Sequence, residues 1–267
     1  MQIGQITQAL ENWAPISFQE DYDNCGLLVG STATICTGIL CSLDCTEAVI
    51  DEAIEKGCNL IVSHHPIVFK GIKQFDEHHY VSRTALKAIR NNIALYAIHT
   101  NLDSLLDGVN KTLADRLHLE NRSILAPKPG IKEQNGKEIG SGLIGELPLE
   151  TDETEFLKWI KEKFNLSILK HTPLTGKPLK NIALCGGSGS FLINAAKAKH
   201  ADCFITSDLK YHDFFEADGS LLLVDIGHGE SEQWVSELIV AYLTGKFPTF
   251  AVLQSLVNTQ PVTYLKD

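Results

Sequence analysis

Asn59-Leu60-Ile61-Val62-Ser63-His64-His65-Pro66-Ile67-Val68-Phe69 is the stretch from which the fold can be read. Its first half is a short apolar run rich in β-branched residues, the pattern of a buried strand. Two histidines follow directly. Along an extended chain they would face opposite sides, so they can act together only where the strand turns into a loop. Pro66 favours that turn by removing a donor and keeping His65 out of the helical region. Neutral imidazole is the commonest metal ligand. A lone histidine here would be read as bonded to backbone, but a pair at a strand's carboxyl end points to a metal.

The segments around this strand alternate. Upstream, Ile3, Ile6, Leu10 and Trp13 recur at helical spacing until Pro15. A polar loop, Asp21 to Gly26, then runs into a short strand ending near Gly30. Ile39-Leu40-Cys41-Ser42-Leu43 reads as a strand. Asp44 and Thr46 precede a helix over 48–54, with Thr46 as its cap. Downstream, a helix over 82–91 leads to the strand Ile93–Ile98. Strand–helix alternation of this kind implies a mainly parallel α/β sheet, and ligands gather at the carboxyl ends of such strands. His99-Thr100-Asn101-Leu102-Asp103 sits at one of those ends.

Residues 126–142 are polar and enriched in Gly and Pro, which marks a boundary. Beyond it come a strand over 143–147, a helix over 153–164 and a strand over 181–185. The Gly186-Gly187-Ser188-Gly189-Ser190 loop then opens a helix through Ala198. Strands over 203–206 and 221–226 follow, with a helix over 232–243 and a strand-like tail over 250–255. The glycine loop could hold a phosphate on backbone amides, though it matches neither established phosphate-loop pattern and also suits a plain tight turn.

Sliding the chain by 144 residues brings Cys41 onto Cys185, Thr46 onto Ser190 and Asn59–His64 onto Cys203–Asp208. A shorter offset brings His99-x-x-x-Asp103 onto His228-x-x-x-Glu232. Two similar α/β units are therefore expected. His64, His65, Asp103, His228 and Glu232 all fall at strand ends or helix starts. His228 and Glu232 can share a helix face. Mixed imidazole and carboxylate donors suit zinc, manganese, iron or nickel. Five donors exceed the three of an open zinc site and fit two divalent ions, with positions left for water. His99 is expected either to orient Asp103 or a water or to bond to backbone. Asp208 to His212 either line the cleft or form a surface loop. His78, His79, His118, His171 and His200 are expected on the surface.

With 267 residues the chain can hold two cores. Its net charge of -10 argues against a broad nucleic-acid-binding face. No apolar run approaches the roughly 18 residues that span a bilayer. The opening, Met1-Gln2-Ile3-Gly4-Gln5, lacks the signal pattern, so a cytoplasmic protein is expected. Seven cysteines without a C-x-x-C pair exclude a disulfide framework and a thiolate zinc site. Cys41, Cys58, Cys185 and Cys203 read as small buried residues.

Ser63-His64-His65-Pro66, His99-Thr100-Asn101-Leu102-Asp103, Cys185-Gly186-Gly187-Ser188-Gly189, Ser207-Asp208-Leu209-Lys210-Tyr211-His212 and Gly227-His228-x-x-x-Glu232 together resemble the NIF-three-like family. Asp23-Asn24-x-Gly26-Leu27 and Gly145-Glu146-Leu147-Pro148 extend the resemblance nearly end to end. Ser207 stands where a glycine is usual, and Gln260-Pro261-Val262 replaces the usual Asn-Pro-Phe. The resemblance implies a dinuclear-metal protein of the GTP cyclohydrolase 1 type 2 homologue kind. Its metal ligands match His64, His65, Asp103, His228 and Glu232, and it implies a ring-shaped homohexamer. Some members carry an inserted third domain, for which there is no room here between 125 and 180.

The expected fold is α/β, with two related three-layer domains facing each other across a dinuclear metal site. The first covers 1–125, completed by 233–267, and the second covers 126–232. Two functions remain open. One is a metal-dependent hydrolase using a metal-activated water on a nucleotide or other small molecule. The other is a non-catalytic metal-binding hexameric scaffold or regulatory protein. For the hexamer, the tail strand 250–255 and the Ile3, Ile6, Leu10 stripe are interface candidates that also suit intramolecular core.

Overall fold

The computed structural model describes residues 1–265. In chain order the elements begin with α1 (Ile3–Trp13), β1 (Gly26–Val29), β2 (Ile39–Ser42), α2 (Glu47–Glu55), β3 (Leu60–Ser63), α3 (Tyr80–Arg90) and β4 (Ala94–Ala97). Next come α4 (Thr100–Asp103), α5 (Val109–Arg116), β5 (Glu120–Lys132), β6 (Glu138–Thr151), α6 (Glu153–Lys163) and β7 (Lys170–His171). The last are β8 (Leu179–Ser188), α7 (Ile193–Ala198), β9 (Cys203–Ser207), β10 (Leu222–Asp225), α8 (His228–Glu232), α9 (Val235–Lys246) and β11 (Val252–Gln254). Side-chain caps start α2, as the sequence predicts, and α6. Thr46 accepts from the Val49 amide, and Asp152 accepts from the Thr154 and Glu155 amides.

The chain forms two compact units. One holds Met1–Leu102 with Trp234–Pro261, and the other holds Asp103–Gln233 with the segment from Val262. The division falls before Asp103, earlier than the composition shift at 126–142 indicates. That shift is not a linker. It is the turn region of a long antiparallel hairpin, β5 against β6. Pro127 and Pro129 are tolerated because β5 is an edge strand. Gly140 is required where the two strands close up, since a Cβ there would lie 2.1 Å from the Ala126 carbonyl oxygen.

In the first unit the sheet order is β1-β4-β3-β2-β11, with β11, β2, β3 and β4 parallel and β1 antiparallel. Leu40, Ile61 and Leu95 pack under α2 and α3 with Val49, Ile50, Ala53 and Ala88. Strand alternation sends Ile39, Leu60 and Tyr96, equally buried, to the other face. Ile3, Ile6 and Leu10 are inaccessible to solvent. The α1 stripe is therefore core, and the reading of it as an interface is withdrawn. Trp13 of α1 stacks on Tyr242 of α9, with ring centroids 4.2 Å apart.

In the second unit the order is β5-β6-β8-β9-β10-β7. Strands β8, β9 and β10 are parallel, and β7 closes the edge antiparallel to β10. Three adjacent parallel strands with an antiparallel neighbour beyond the third occur in both units, as the internal duplication predicts.

The offset, however, is 143 and not 144 over the first two strands, and 128 and not 129 over the third. The residues under the helices are Ala183, Phe204 and Leu223, and these stand in the places of Leu40, Ile61 and Leu95. The pairs Ile39↔Leu60 and Leu60↔Ala94 become Ile182↔Cys203 and Cys203↔Leu222. A slip of one residue turns every side chain to the wrong face, so burial selects these offsets.

Candidate metal centre

In the first unit three imidazoles meet at the carboxyl ends of β3 and β4. The ring centroids of His64, His65 and His99 lie 4.9, 5.1 and 5.3 Å apart. One ring nitrogen of each lies within 4.8 Å of the others. Each ring is held through Nδ1. His64, fully buried, has Nδ1 2.8 Å from the Ile98 carbonyl oxygen. His65 Nδ1 is 2.8 Å from Asp44 Oδ1, and Asp44 Oδ2 accepts from the Thr259 hydroxyl at 2.6 Å. His99 Nδ1 is 2.9 Å from Asp23 Oδ1. Carbonyl and carboxylate oxygens only accept, so each Nδ1 carries the proton and Nε2 carries the lone pair. Metal-ligating histidines are oriented in this way.

Asp23 is enclosed by the start of α4. Its Oδ2 accepts from the Thr100 amide and hydroxyl, and its side chain is wholly shielded from solvent. Burial alone would raise its pKa. The hydrogen bonds from His99, the Thr100 hydroxyl and the Asn24 amide outweigh burial and hold the carboxyl well below the usual range. Asn101 ties the same corner down, accepting from the His99 amide at 2.9 Å and donating to the Ala14 carbonyl at 2.7 Å. His99 is itself an oriented donor beside His64 and His65, and its partner is Asp23.

In the second unit His228 opens α8, directly after Gly227 at positive φ. Its Nδ1 lies 2.7 Å from Asp208 Oδ2, and its Nε2 lies 3.1 Å from Glu232 Oε2 one turn on. Glu232 is buried. Gly187 makes room for it, since a Cβ there would come within 2.5 Å of Glu232 Oε1. Asp103 belongs to the same surroundings. The buried Cys185 thiol has its pKa raised well above the ordinary range, first by burial and then by the charges of Asp103 and Glu232.

The glycine loop is not a phosphate cradle. The Gly186 amide donates to Asn110 Oδ1 at 2.9 Å and the Gly187 amide to the Ser231 hydroxyl at 2.8 Å. Its function is local. It forms the end of β8, where the register slips between Leu184 and Ser188 and brings Gly187 against Glu232.

Of the five predicted site residues, His64 and His65 sit together in the first unit and His228 and Glu232 sit together in the second, where Asp103 shares with Glu232 its effect on Cys185. The acids that orient the rings, Asp23, Asp44 and Asp208, were missed as such. Asp23 and Asp208 carried a signal, in Asp23-Asn24-x-Gly26 and Ser207-Asp208-Leu209, and Asp44 did not. The donor set of oriented imidazoles and buried carboxylates fits a divalent ion of borderline softness. Cysteine is excluded as a ligand by its placement: Cys36, Cys41, Cys45, Cys58, Cys185 and Cys203 are buried thiols. Cys25, half-buried, has its pKa pushed up to about 12, by burial first and then by the charge of Asp23.

These features define an α/β protein of two like-folded units carrying a histidine- and carboxylate-rich candidate metal centre. The chain belongs to the Duf34/NIF3 (NGG1p interacting factor 3) family, whose model matches residues 1–261. A Clostridium acetobutylicum relative named GTP cyclohydrolase 1 type 2 homolog is 36% identical over 244 residues, covering 90% of this chain and 88% of the relative. A Staphylococcus epidermidis relative of the same name is 29% identical over 366 aligned residues, covering 99% of this chain and 100% of the relative. The crystal structure of Staphylococcus aureus protein SA1388 superposes with a TM-score of 0.89 at 30% identity, covering 99% of each chain. Among the described residues no helix is long and apolar enough to cross a membrane.

Proposed function

We propose that the chain is a cytoplasmic, dinuclear metal-dependent hydrolase whose two divalent ions are held by His64, His65, Asp103, His228 and Glu232. The observation that carries this reading is the orientation of the rings. His64 and His65 each have Nδ1 on a protein oxygen, the orientation that suits Nε2 to a metal, and His228 is held between Asp208 and Glu232. Zinc, manganese, iron or nickel at these donors would supply Lewis-acid polarisation and a lowered pKa for water. The chain's own residues do the rest. Asp44 and Asp208 orient the His65 and His228 rings, and the buried Glu232 would supply a carboxylate ligand. The relatives' name supports a nucleotide as substrate.

The test pairs elemental analysis of purified protein with turnover of a nucleotide panel by metal-loaded and chelator-stripped protein. Two equivalents of metal and turnover only when loaded are expected. One equivalent or less after reloading would overturn the dinuclear reading.

Assembly is part of the proposal. Phe191, Tyr211 and Phe215 expose 64%, 75% and 65% of their surface in the single chain. Tyr211 and Phe215 form one aromatic patch, with centroids 5.5 Å apart. Apolar patches of this kind are covered in closed rings, and we assign them to homohexamer contacts. Light scattering should give a hexamer that persists after chelation. A Tyr211→Ser, Phe215→Ser variant should fall to smaller species. Should that assembly form without any turnover, the scaffold reading would replace the hydrolase.

A further inference from the structure

Beside the three histidines, and wholly within the first unit, lies a cleft of about 930 Å³. That is the size of a small-molecule site. His65 is part of its lining, as are the exposed aromatic rings of Phe69 and Tyr80. Phe69 also stands edge-on to His99, with centroids 6.2 Å apart.

The cleft does not share the acidic balance of the chain. The whole sequence carries a net -10, whereas two lysines balance the two acids in the cleft lining, and both acids have partners. Asp44 is held by His65 and Thr259, and Asp76 accepts from the His78 amide at 2.9 Å. Lys70 and Lys73, by contrast, line the cleft with no ion pair among the described residues. Two helix starts face it as well, the Thr46 cap of α2 and the His79 cap of α3. His79 accepts the Val81 amide on Nδ1 at 3.3 Å, which makes its Nε2 a donor. Helix N-termini add positive potential.

We propose that this cleft binds an organic phosphate. Its planar ring packs on Phe69 and Tyr80, and its phosphate is held by Lys70, Lys73 and His79. Aromatic faces receive planar rings by stacking. Three donors within one cleft lining match the oxygens of a phosphate. His65 then stands within the same cleft, so the molecule bound there reaches the metal centre. Only that last step rests on the proposed metal function, since binding in the cleft requires no ion.

Phenyl phosphate is the probe, titrated calorimetrically into the full chain after chelator treatment. Saturable binding is expected, tighter than for inorganic phosphate or phenol. The Lys70→Ala, Lys73→Ala variant should bind at least roughly tenfold more weakly, as the loss of hydrogen bonds to a charged group requires. Phe69→Ala should weaken phenyl phosphate and leave inorganic phosphate unchanged. All three side chains are exposed or line the cleft, and circular dichroism checks the fold. Unaltered affinity in the double lysine variant, or phenol binding as well as phenyl phosphate, overturns the proposal. Absence of saturable binding overturns it too, while leaving the metal equivalents of the loaded protein to stand. Intact phenyl phosphate binding in a chain that takes up no metal upholds the cleft and removes only the hydrolase.

Discussion

The first unit packs Leu40, Ile61 and Leu95 beneath its helices, and the second packs Ala183, Phe204 and Leu223 in the same places. The strand ends of the two units carry different chemistry. After β3 the first unit has His64-His65, while after β9 the second has Ser207 and then Asp208, at the place of His65 under the 143 offset. The first unit thus supplies imidazoles. The second supplies an acid there, and that acid orients its one site imidazole, His228. One framework carries different side chains at matching strand ends.

The means of orientation differ too. In the first unit Asp23 is walled off from solvent and held by α4, whereas Asp208 is about half exposed, at 48%. In the second unit the precision lies in the backbone, where the slip in β8 brings Gly187 against Glu232.

The largest effect is expected at the carboxylates that only the second unit contributes. Glu232→Gln or Asp103→Asn should lower metal affinity by more than the roughly 10–100-fold typical of outer-shell partners, with the fold retained. Metal content after dialysis, beside far-ultraviolet circular dichroism, measures both. Global unfolding of either variant would make the ions structural and break the division between framework and donors. Occupancy should also fall as pH drops below about 6, because imidazole must be neutral to bind metal.

The orienting acids come next and sharpen the contrast. Asp23→Asn and Asp208→Asn should each weaken metal binding by roughly 10–100-fold. They should part in stability. Asp23→Asn leaves buried donors of Thr100 and His99 poorly matched and should cost about 1–3 kcal/mol, whereas Asp208→Asn at an exposed position should leave the melting temperature nearly unchanged. Equal losses in the two melts would mean that burial does not distinguish the two devices.

Gly187→Ala tests the backbone device by itself. A non-glycine residue at φ +66° is strained, by about 1–3 kcal/mol, and the added Cβ would push on Glu232 Oε1. Denaturant melts should show the loss, and the metal content should fall with it. Normal metal uptake would show that Glu232 has slack.

How much of this was legible can be followed along β3. Its apolar run, its two histidines and Pro66 are all local, so strand, turn and donors could be read directly. The duplication was legible too, since repeated hydrophobic runs carry the topology. The offset was not, because sequence matching aligned His64 with Asp208 by composition, while burial decides which face each residue takes. The stretch 126–142 misled for a related reason. Pro and Gly signal loops, but an edge strand needs no amide at Pro127, and a close strand approach needs Gly140. The orienting acids lie far along the chain from their rings, Asp23 from His99 and Asp44 from His65, and only the fold brings them together.

The smallest expected effect lies at a tie that the first unit has and the second lacks. Glu52 of α2, 8% exposed, accepts from the Ser255 hydroxyl and from the Leu256 amide at 3.0 Å, and Lys56 stands 3.5 Å away. These contacts bind α2 to the segment after β11. Under the 143 offset the second unit has Ala195 there, with nothing to titrate. Burial would raise the Glu52 pKa, but the Ser255 and Leu256 hydrogen bonds and Lys56 outweigh it, and the pKa is lowered in the folded protein. A lowered folded pKa means the ionised carboxylate stabilises. Its contribution is complete above the ordinary glutamate pKa of about 4.3 and is lost as pH falls through the folded value. Glu52→Gln should therefore cost about 1 kcal/mol at pH 7. The gap between wild type and variant should close below pH 4. Denaturant melts of both proteins across that range measure it, and a gap that stays constant with pH would assign the contribution to packing and not to charge.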